Sequence, residues 1–402
     1  MKPSDLPEQL RADNRGRDAT LLAEKYAAMR ASPFAFLRAS CALFFRRAAS
    51  HQLLPDAPPA WLSGDLHLEN FGAYRGENGL GYFDLNDFDE ALLAPGTWDV
   101  LRLVTSVLVW ATQNGHPARE RQRLARIPLD GFAAALEAGR ARWLERVTTA
   151  GPIRKLLRQV ERRTQRKLLQ QYTTGGGKRG SRRIRRDPDH LPPAPRGERR
   201  RVMSALAGLA RRAHAPGYFR VLDVTRRVAG LGSLGLPRWV ILVEGDGAPD
   251  ANRLLDLKTA HTPAALPMAS RPQPRWSSEA ARVVQLQQWL EAEPPALLAA
   301  LGSKPGLVLR ELQPRKDRLK LAHLDADPEA VAAVLEAMGQ LAAWALIRGA
   351  GRRGSATLDE WSEWSGRAGW RPQLLGNASE LARLVQDDWG DFCAGYDAGA
   401  FG

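Results

Sequence analysis

The sequence has few of the features that place a chain outside the cell or in a membrane. It contains only two cysteines, Cys41 and Cys393, which excludes a disulfide framework and indicates a reducing compartment. The amino-terminal residues include no apolar core of the kind that a secretory signal needs. The longest apolar stretch, residues 330–347, is interrupted by Glu336 and Gln340, which predicts a buried helix and no transmembrane segment. We therefore expect a cytoplasmic protein.

Histidine is also scarce, and this argues against one class of metal enzyme. In a two-metal phosphoesterase, Asp65 and His67 of the segment "GDLHLENF" would be the first of a chain of metal ligands. That chemistry needs further clusters of histidine and aspartate, whereas the other six histidines are scattered singly along the chain. The sequence therefore favours another role for this segment.

Positive charge is concentrated in one part of the chain. The formal net charge is +14, and residues 151–201 hold 17 Lys/Arg against 4 Asp/Glu. Glycine, arginine and proline dominate residues 173–201, which predicts a loop or a disordered linker. Two interpretations of residues 151–201 stay open, a solvated arginine-rich linker and a surface for an anionic partner such as RNA or an acidic protein. Tyr172 alone could stack on a base there, which gives RNA little support.

Periodicity predicts helices on both sides of a small region of strands. Residues 30–49 have helical apolar spacing, with Ser32 as the N-cap and Pro33 at the first helical position. The predicted strands lie within 218–245, 251–260 and 306–312, and a helix is predicted over 277–292. We divide the chain into residues 1–215, a helical lobe with the basic linker at about 173–201; residues 216–314, a small sheet lobe; and residues 315–402, C-terminal helices that complete the helical lobe.

Two acidic segments bring together groups that bind cations. Asp65 and Asn70 lie in "GDLHLENF", and Asp87 lies in "YFDLNDFDEA". Carboxylate and amide oxygens are hard ligands that suit Mg²⁺. The same residue types also form helix caps and Asx-turns, and this structural interpretation stays open for "GDLHLENF" alone.

A glycine turn and a lysine on an apolar strand occur much later in the chain. "GLGSLG" at 230–235 allows the backbone to approach a phosphate closely, although such turns also join many hairpins. Lys258 ends the apolar strand "RLLDLKTA", where a lysine needs a partner. An acidic residue of the following helix would orient it, and Glu279 is the candidate, with Gln285 as the other polar side chain on that helix.

These motifs resemble those of protein-kinase-like enzymes. "GDLHLEN" resembles the catalytic loop of aminoglycoside phosphotransferases, and "NDF" at 86–88 resembles the metal-binding Asp-Phe-Gly segment. The "WD" at 98–99 resembles the aspartate at the start of the next helix, and its spacing favours Asp87 over Asp84 as the metal ligand. Ser63 stands where aminoglycoside phosphotransferases have a histidine two residues before the catalytic aspartate.

The order of the motifs differs from that of a kinase. Kinases run from the glycine loop through the lysine and the hinge to the catalytic and metal-binding aspartates, whereas this chain has the aspartates first. Either the resemblance of the glycine turn and the lysine is accidental, or the fold is circularly permuted. The chain resembles a bacterial family known as domain of unknown function 2252. Members of that family share the motifs "SPFAFLR", "GDxHxxNFG", "NDFDE" and "GxGSxG", which occur here in the same order along the chain. This resemblance implies an α+β, two-lobed protein-kinase-like fold that is circularly permuted, with a mostly helical large lobe and a small antiparallel-sheet lobe.

The resemblance also implies an activity. It is ATP- and Mg²⁺-dependent phosphoryl transfer to an unknown small-molecule or protein acceptor. The alternatives are a nucleotide-binding regulator without turnover (a pseudokinase) and an RNA-associated protein that uses the arginine-rich segment. The implied roles are Asp65 as the catalytic base, Asn70 and Asp87 as metal ligands, Lys258 as the catalytic phosphate anchor, and Gly230, Gly232, Ser233, Gly235, Lys258 and Glu279 as nucleotide-binding residues.

Overall fold

The structure is a computed structural model of the 402-residue chain that describes residues 6–175, 181–247, 249–302, 306–314, 317–319, 321, 324 and 326–401. These residues form helices and antiparallel sheets, which confirms the α+β class. The helices are α1 (Leu6–Asp13), α2 (Ala19–Ala31), α3 (Pro33–Ala39), α4 (Cys41–Ser50), α5 (Thr97–Gln113), α6 (Ala118–Glu137), α7 (Gly151–Arg162), α8 (Gln165–Tyr172), α9 (Arg196–Arg212), α10 (Glu279–Leu290), α11 (Pro328–Gly349), α12 (Leu358–Ser365) and α13 (Trp370–Asp397). The strands are β1 (Pro59–Leu62), β2 (Phe71–Arg75), β3 (Gly81–Leu85), β4 (Leu92–Pro95), β5 (Thr173–Thr174), β6 (Arg183–Ile184), β7 (Val221–Arg226), β8 (Arg238–Val243), β9 (Arg253–Thr259), β10 (Ala299–Leu301) and β11 (Leu307–Glu311).

The largest sheet has five antiparallel strands in the order β10-β11-β9-β8-β7. Along β9 the side chains alternate between the two faces, so Leu255 and Leu257 enter an apolar cluster while Asp256 and Lys258 lie on the opposite face. Arg310 of β11 is the register partner of Asp256 and therefore shares its face. The sheet thus combines one apolar face with an opposite face that carries buried charges.

Helix α9 covers the apolar face of this sheet. Val202 and Leu206 of α9 are fully buried and pack in one cluster with Trp239 and Leu257. The predicted loop or disordered linker over 173–201 is therefore wrong where β5, β6 and the start of α9 lie, because the arginine run forms the first turns of an amphipathic helix. Residues 176–180 of that segment lie outside the described residues.

Several arginines of the basic segment are paired within the protein. Arg186 and Arg199 contact the buried Asp223 at 2.9 and 3.3 Å, and Arg182 contacts Asp250 at 2.8 Å. Part of the local positive charge is therefore neutralised by Asp223 of β7 and by Asp250 in the turn between β8 and β9.

Helix α5 is the centre of the helical part, and all of its residues from Thr97 to Ala111 are buried. Helix α13 packs against α5, and α11 packs against α6. The α6–α11 approach is close, since a Cβ on Gly339 would lie 1.9 Å from the carbonyl oxygen of Pro128. Helix α11 is long and apolar enough to cross a membrane by length and composition alone, but 78% of its most apolar window is buried inside the protein.

The remaining sequence-based elements are largely confirmed. Helix α10 and strands β7, β8, β9 and β11 lie within their predicted ranges. The helix predicted over 30–49 begins as expected, with the Ser32 hydroxyl accepting a hydrogen bond from the Ala35 amide, but it is interrupted at Ser40. Strands β1 and β2 lie on either side of residues 63–70, which are irregular and include most of the first acidic segment.

Candidate functional site

The two acidic segments lie side by side in the folded protein. Strands β2 and β3 pair in a register that places Phe71 opposite Leu85, and the Asn86 amide donates to the Asn70 carbonyl at 2.9 Å. Strands β1 and β4 form a second antiparallel pair, in which β1 ends just before residues 63–70 and β4 begins just after residues 86–91. The two hairpin-like pairings therefore hold residues 63–70 against residues 86–91.

Gly64 permits the closest approach between these loops. Its φ of +83° is left-handed, and a Cβ at this position would lie 1.8 Å from the carbonyl oxygen of Glu90. A side chain would therefore force the Glu90 backbone away, in addition to the conformational cost of a left-handed residue.

Replacing Gly64 with alanine should consequently destabilise the protein more than the same change at Gly115. Gly115 also has a left-handed φ of +76°, but no atom lies within 4 Å of the point that a Cβ would occupy there. The extra clash at Gly64 should lower the free energy of unfolding by about 1–3 kcal/mol beyond the Gly115→Ala control. Urea unfolding of both variants measures this difference, and equal losses would contradict the close approach.

Asp99 in the first turn of α5 fixes the start of the first loop. Its carboxylate accepts hydrogen bonds from the Ser63 amide at 2.7 Å, the Ser63 hydroxyl at 3.0 Å and the Gly64 amide at 2.9 Å. Burial raises the pKa of Asp99 to about 6, while these three donors oppose the rise. Ser63 thus has a structural role here, because its amide and its hydroxyl both donate hydrogen bonds to the Asp99 carboxylate.

Asp65 forms an ion pair with an arginine that the sequence reasoning did not select. Arg102, which is fully buried one turn after Asp99 in α5, donates from Nε to Asp65 Oδ1 at 2.5 Å and from Nη2 to the Leu37 carbonyl at 3.1 Å. Burial raises the pKa of Asp65 to about 7, against the opposing effect of the Arg102 guanidinium. A charged residue within the apolar sequence of α5 was the available signal, since such a residue needs a partner.

His67 lies behind Asp65 as a neutral side chain. Its Nε2 is 3.9 Å from Asp65 Oδ2, and its Nδ1 accepts a hydrogen bond from the Glu69 amide. Burial, with Arg38 and Arg102 nearby, lowers the pKa of His67 well below its ordinary value. The imidazole therefore orients the loop without adding positive charge.

Asn70 and Asp87 present oxygen atoms on the two neighbouring loops. The Asn70 side-chain nitrogen donates to the Asp65 carbonyl at 2.6 Å, which leaves its Oδ1 as the atom that could bind a cation. Asp87 accepts a weak contact from the Asp89 amide at 3.4 Å through Oδ1. An amide oxygen and a carboxylate on adjoining loops match the hard-ligand chemistry of Mg²⁺.

Lys258 reaches the second loop from the sheet across 171 positions of sequence. Its Nζ lies 3.3 Å from Asp87 Oδ1 and 2.7 Å from Asp89 Oδ1, and the residue is 8% exposed. Lys258 and Asp87, two residues selected from the sequence, are therefore in contact. Asp89, which is not among the residues selected from the sequence, is the nearer of the two carboxylates to Lys258 Nζ.

The predicted pairing of Glu279 with Lys258 is wrong. Glu279 accepts from Arg282 Nε at 2.7 Å, and its side chain is 39% exposed in the first turn of α10. Arg282 is buried and donates to the carbonyls of Asp89, at 2.9 Å, and His261, at 2.8 Å. Helix α10 therefore contributes to the site without touching Lys258. Glu279 orients Arg282, and Arg282 holds the backbone of the second acidic loop, residues 86–91.

Further cations surround Asp87. Asp256 is fully buried and binds Arg227 at 2.9 Å and Arg238 through a two-pronged contact, while Arg310 donates to the Asn86 carbonyl at 3.3 Å. Burial would raise the pKa of Asp87, but Lys258, Arg310 and Arg318 outweigh it and hold this pKa well below the ordinary value. Asp87 is thus a carboxylate in an electropositive part of the protein.

The glycine turn lies against the amino-terminal helices. Gly230 and Gly235 have left-handed φ values of +82° and +87°. The Gly232 carbonyl accepts from Lys25 Nζ at 3.2 Å, and the Gly235 carbonyl accepts from the Asp18 amide at 3.1 Å. Residues at the start of α2 and within it therefore support the glycine turn at 230–235.

One cavity of about 370 Å³ joins these parts. Of the predicted site residues, Asp65, Asp87, Gly232 and Ser233 line it. Lys258 and Asn70 lie directly behind this lining through their contacts with Asp87 and Asp65, whereas Gly230, Gly235 and Glu279 are outside it. Lining residues that the sequence reasoning missed include Arg17, Lys25, Arg38, Arg46 and Asp89.

Fold and cavity together define an α+β protein in which the amino-terminal helices, two acidic loops and the glycine turn line one strongly charged cavity. Lys258 of the antiparallel sheet lies behind this lining, in contact with Asp87. The family model described as an uncharacterized protein conserved in bacteria, domain of unknown function 2252, matches residues 17–395. The chain belongs to this family, as its motifs indicated. No curated protein and no solved structure matches the chain.

Proposed function

We propose that this protein is an ATP- and Mg²⁺-dependent phosphotransferase with a circularly permuted, two-lobed, protein-kinase-like fold. The large lobe would combine residues 1–215 with the C-terminal helices of 315–402, and the small lobe would be residues 216–314. The nucleotide would occupy the cavity between the acidic loops and the glycine turn. The acceptor is an unknown small molecule or protein.

The contact between Lys258 and Asp87 is the observation that carries this proposal. In the proposed site, the lysine binds nucleotide phosphates and the aspartate holds the metal, so the two side chains must lie within reach of one ligand. Their polar atoms are 3.3 Å apart although 171 positions separate the residues.

The order of elements in the sheet supports the same proposal. Strand β7, the glycine turn, β8, the lysine strand β9, helix α10 and strand β11 follow one another as do the glycine loop, lysine, helix and hinge of a kinase. The acidic loops precede this unit in the chain instead of following it. A permutation of a kinase-like chain accounts for both facts.

Charge around Asp87 favours a polyanionic ligand. Lys258, Arg238, Arg310 and Arg318 all act on Asp87, and among the described residues the carboxylates in direct contact with members of this group are Asp87, Asp89 and Asp256. Buried cations in excess of their carboxylates are unfavourable without a further anion. A triphosphate would supply that negative charge.

The side chains that would hold Mg²⁺ are Asn70 and Asp87. When bound, the ion would neutralise charge that develops on the phosphate oxygens. Asp65 would accept the proton of the acceptor hydroxyl or amine, and Arg102 would keep its carboxylate in place through the 2.5 Å contact. Lys258 would position the phosphates, and Arg282 would keep the acidic loop against the sheet.

Two alternative functions differ from the proposed phosphotransferase, one in having no turnover and the other in binding a different ligand. A pseudokinase would bind ATP·Mg²⁺ without consuming it. An RNA-associated protein, or one that binds an acidic protein, would use the exposed cations that are left on the basic segment, and α7 presents several of them on its solvent side. These are Arg154, Lys155, Arg158 and Arg162.

Thermal unfolding separates the three functions. Under the proposal, ATP·Mg²⁺ at 100 times its Kd adds about 2.7 kcal/mol to the free energy of unfolding, and ADP forms over time. Stabilisation without ADP formation would indicate the regulator. No stabilisation by nucleotide, together with salt-dependent retention on RNA, would contradict the proposal and favour the basic surface.

A further inference from the structure

Lys25 of α2 is a buried lysine in the wall of the cavity. It is 1% exposed, and its Nζ donates to Asn14 Oδ1 at 2.7 Å and to the Gly232 carbonyl at 3.2 Å. In the part of the chain that the structure describes, no carboxylate oxygen lies within 4 Å of this ammonium group. Both of its hydrogen-bond partners are neutral oxygen atoms.

A buried ammonium group whose direct partners are all neutral is unfavourable, because neither water nor an opposite charge in contact with it stabilises it. Burial lowers the pKa of Lys25 well below its ordinary value and Arg17 lowers it further, while the more distant carboxylates of Asp13, Glu90 and Asp65 oppose this only in part. An anion in the cavity would reverse both effects. The position of Lys25 therefore suits a group that acquires its charged partner when a ligand binds.

Arg17 approaches the glycine turn from the same side. Its Nη1 donates to the Leu234 carbonyl at 2.6 Å, and a Cβ on Gly235 would lie 2.9 Å from the Cβ of Arg17. Lys25 and Arg17 thus contact nearby carbonyls of the turn and also line the cavity that Asp87 and Asp65 line. The amino-terminal helices are part of the same site.

We infer that Lys25 is an anion-binding residue of this cavity, where it contacts an oxygen of the terminal phosphate of the bound nucleoside triphosphate. The inference rests on the proposed function. The phosphate supplies the negative charge that the ammonium group lacks, and the contact with Gly232 places Lys25 at the turn that faces the phosphates. The site would then distinguish a nucleoside triphosphate from a diphosphate.

A purely structural role for Lys25 predicts a different pattern. A lysine that only supports the glycine turn would affect triphosphate and diphosphate affinity alike, because both ligands use the turn. A lysine that binds the terminal phosphate affects the triphosphate alone. The ratio of the two affinities therefore separates the two roles.

Calorimetric titration with Mg²⁺ and either a non-hydrolysable ATP analogue or ADP tests the inference. Lys25→Met should weaken binding of the analogue by about tenfold or more, as expected for one lost charge-assisted hydrogen bond, with ADP affinity within about twofold. Lys167→Met, which changes an exposed lysine of α8, should leave both affinities unchanged. Lys25→Gln retains a donor without the charge and should show the same selective loss if Lys25→Met does not fold.

Three results would overturn the inference, and they are distinguishable from one another. If the wild type binds both nucleotides and the Lys25 variants bind them equally well, Lys25 has no role in binding and the proposed function stands. Parallel loss of both affinities would assign Lys25 to support of the turn alone. If the wild type binds neither nucleotide, the proposed function itself fails, and the inference fails with it.

Discussion

Replacing Asp65 with asparagine should lower ATP turnover by about 10²–10⁴-fold, the range expected for loss of a general base. Nucleotide affinity should change by less than about twofold, because Asp65 would act on the acceptor and not on the phosphates. Asparagine preserves the size of the side chain and can still contact Arg102, whose Nε lies 2.5 Å from the native carboxylate. The predicted defect is therefore one of chemistry with binding preserved.

ADP formation, followed together with calorimetric ATP affinity, measures this effect. Asp56→Asn is a matched control, since Asp56 is an exposed carboxylate in the loop before β1. Wild-type turnover in Asp65→Asn would remove Asp65 from the mechanism. An equal loss of turnover and binding would show instead that Asp65 maintains the shape of the cavity.

The second large effect is expected at Lys258. Lys258→Met should weaken ATP·Mg²⁺ binding by about 100-fold, equivalent to about 2.7 kcal/mol, through loss of a charge-assisted phosphate contact. Asp87→Ala should abolish the dependence of binding on Mg²⁺, because it removes one of the two proposed metal ligands. Lys155→Met, on the exposed side of α7, should leave binding unchanged.

Folding needs a separate check in these variants. Lys258 contacts Asp87 and Asp89 at 3.3 and 2.7 Å, so Lys258→Met leaves two carboxylates without their cation and can cost about 3–5 kcal/mol of stability. Circular dichroism and thermal unfolding should show a folded protein at the titration temperature. Folded Lys258→Met and Asp87→Ala proteins with wild-type affinity would contradict the proposed roles.

The sequence was sufficient to select those site residues whose charge or polarity contrasts with the apolar residues around them. A lysine on an apolar strand and a cluster of oxygen ligands between hydrophobic residues are chemically costly, so each indicates a specific environment. Lys258, Asp87 and Asp65 were selected on that ground, and the structure brings them to one cavity or its lining. The α+β class followed from the separation of helical and strand patterns along the chain.

Pairings between distant segments could not be predicted in the same way. Asp89 and Glu279 are both acidic residues at plausible distances from Lys258, and only the packing of α10 decides between them. Arg282 engages Glu279 and leaves Asp89 to Lys258. Lys25 was missed for a similar reason, since nothing local shows that α2 lies against the glycine turn.

The basic segment shows how composition can mislead. Arginine, glycine and proline over 173–201 are typical of disorder, yet the apolar positions that define α9 lie mainly beyond the arginine run. Val202, Leu206 and Ala210 share one helical face, and this face packs on the sheet. The helix begins within the charged run because its stability comes from tertiary contact.

Calorimetric titration of the wild-type protein with ATP, with and without Mg²⁺, tests the proposed site most directly. A single nucleotide should bind with measurable heat when Mg²⁺ is present and much more weakly when it is chelated, because Asp87 and Lys258 would share one metal-bound triphosphate. Absence of binding heat at several temperatures, together with an unchanged unfolding temperature, would show that the acidic loops and the lysine strand do not form a nucleotide site.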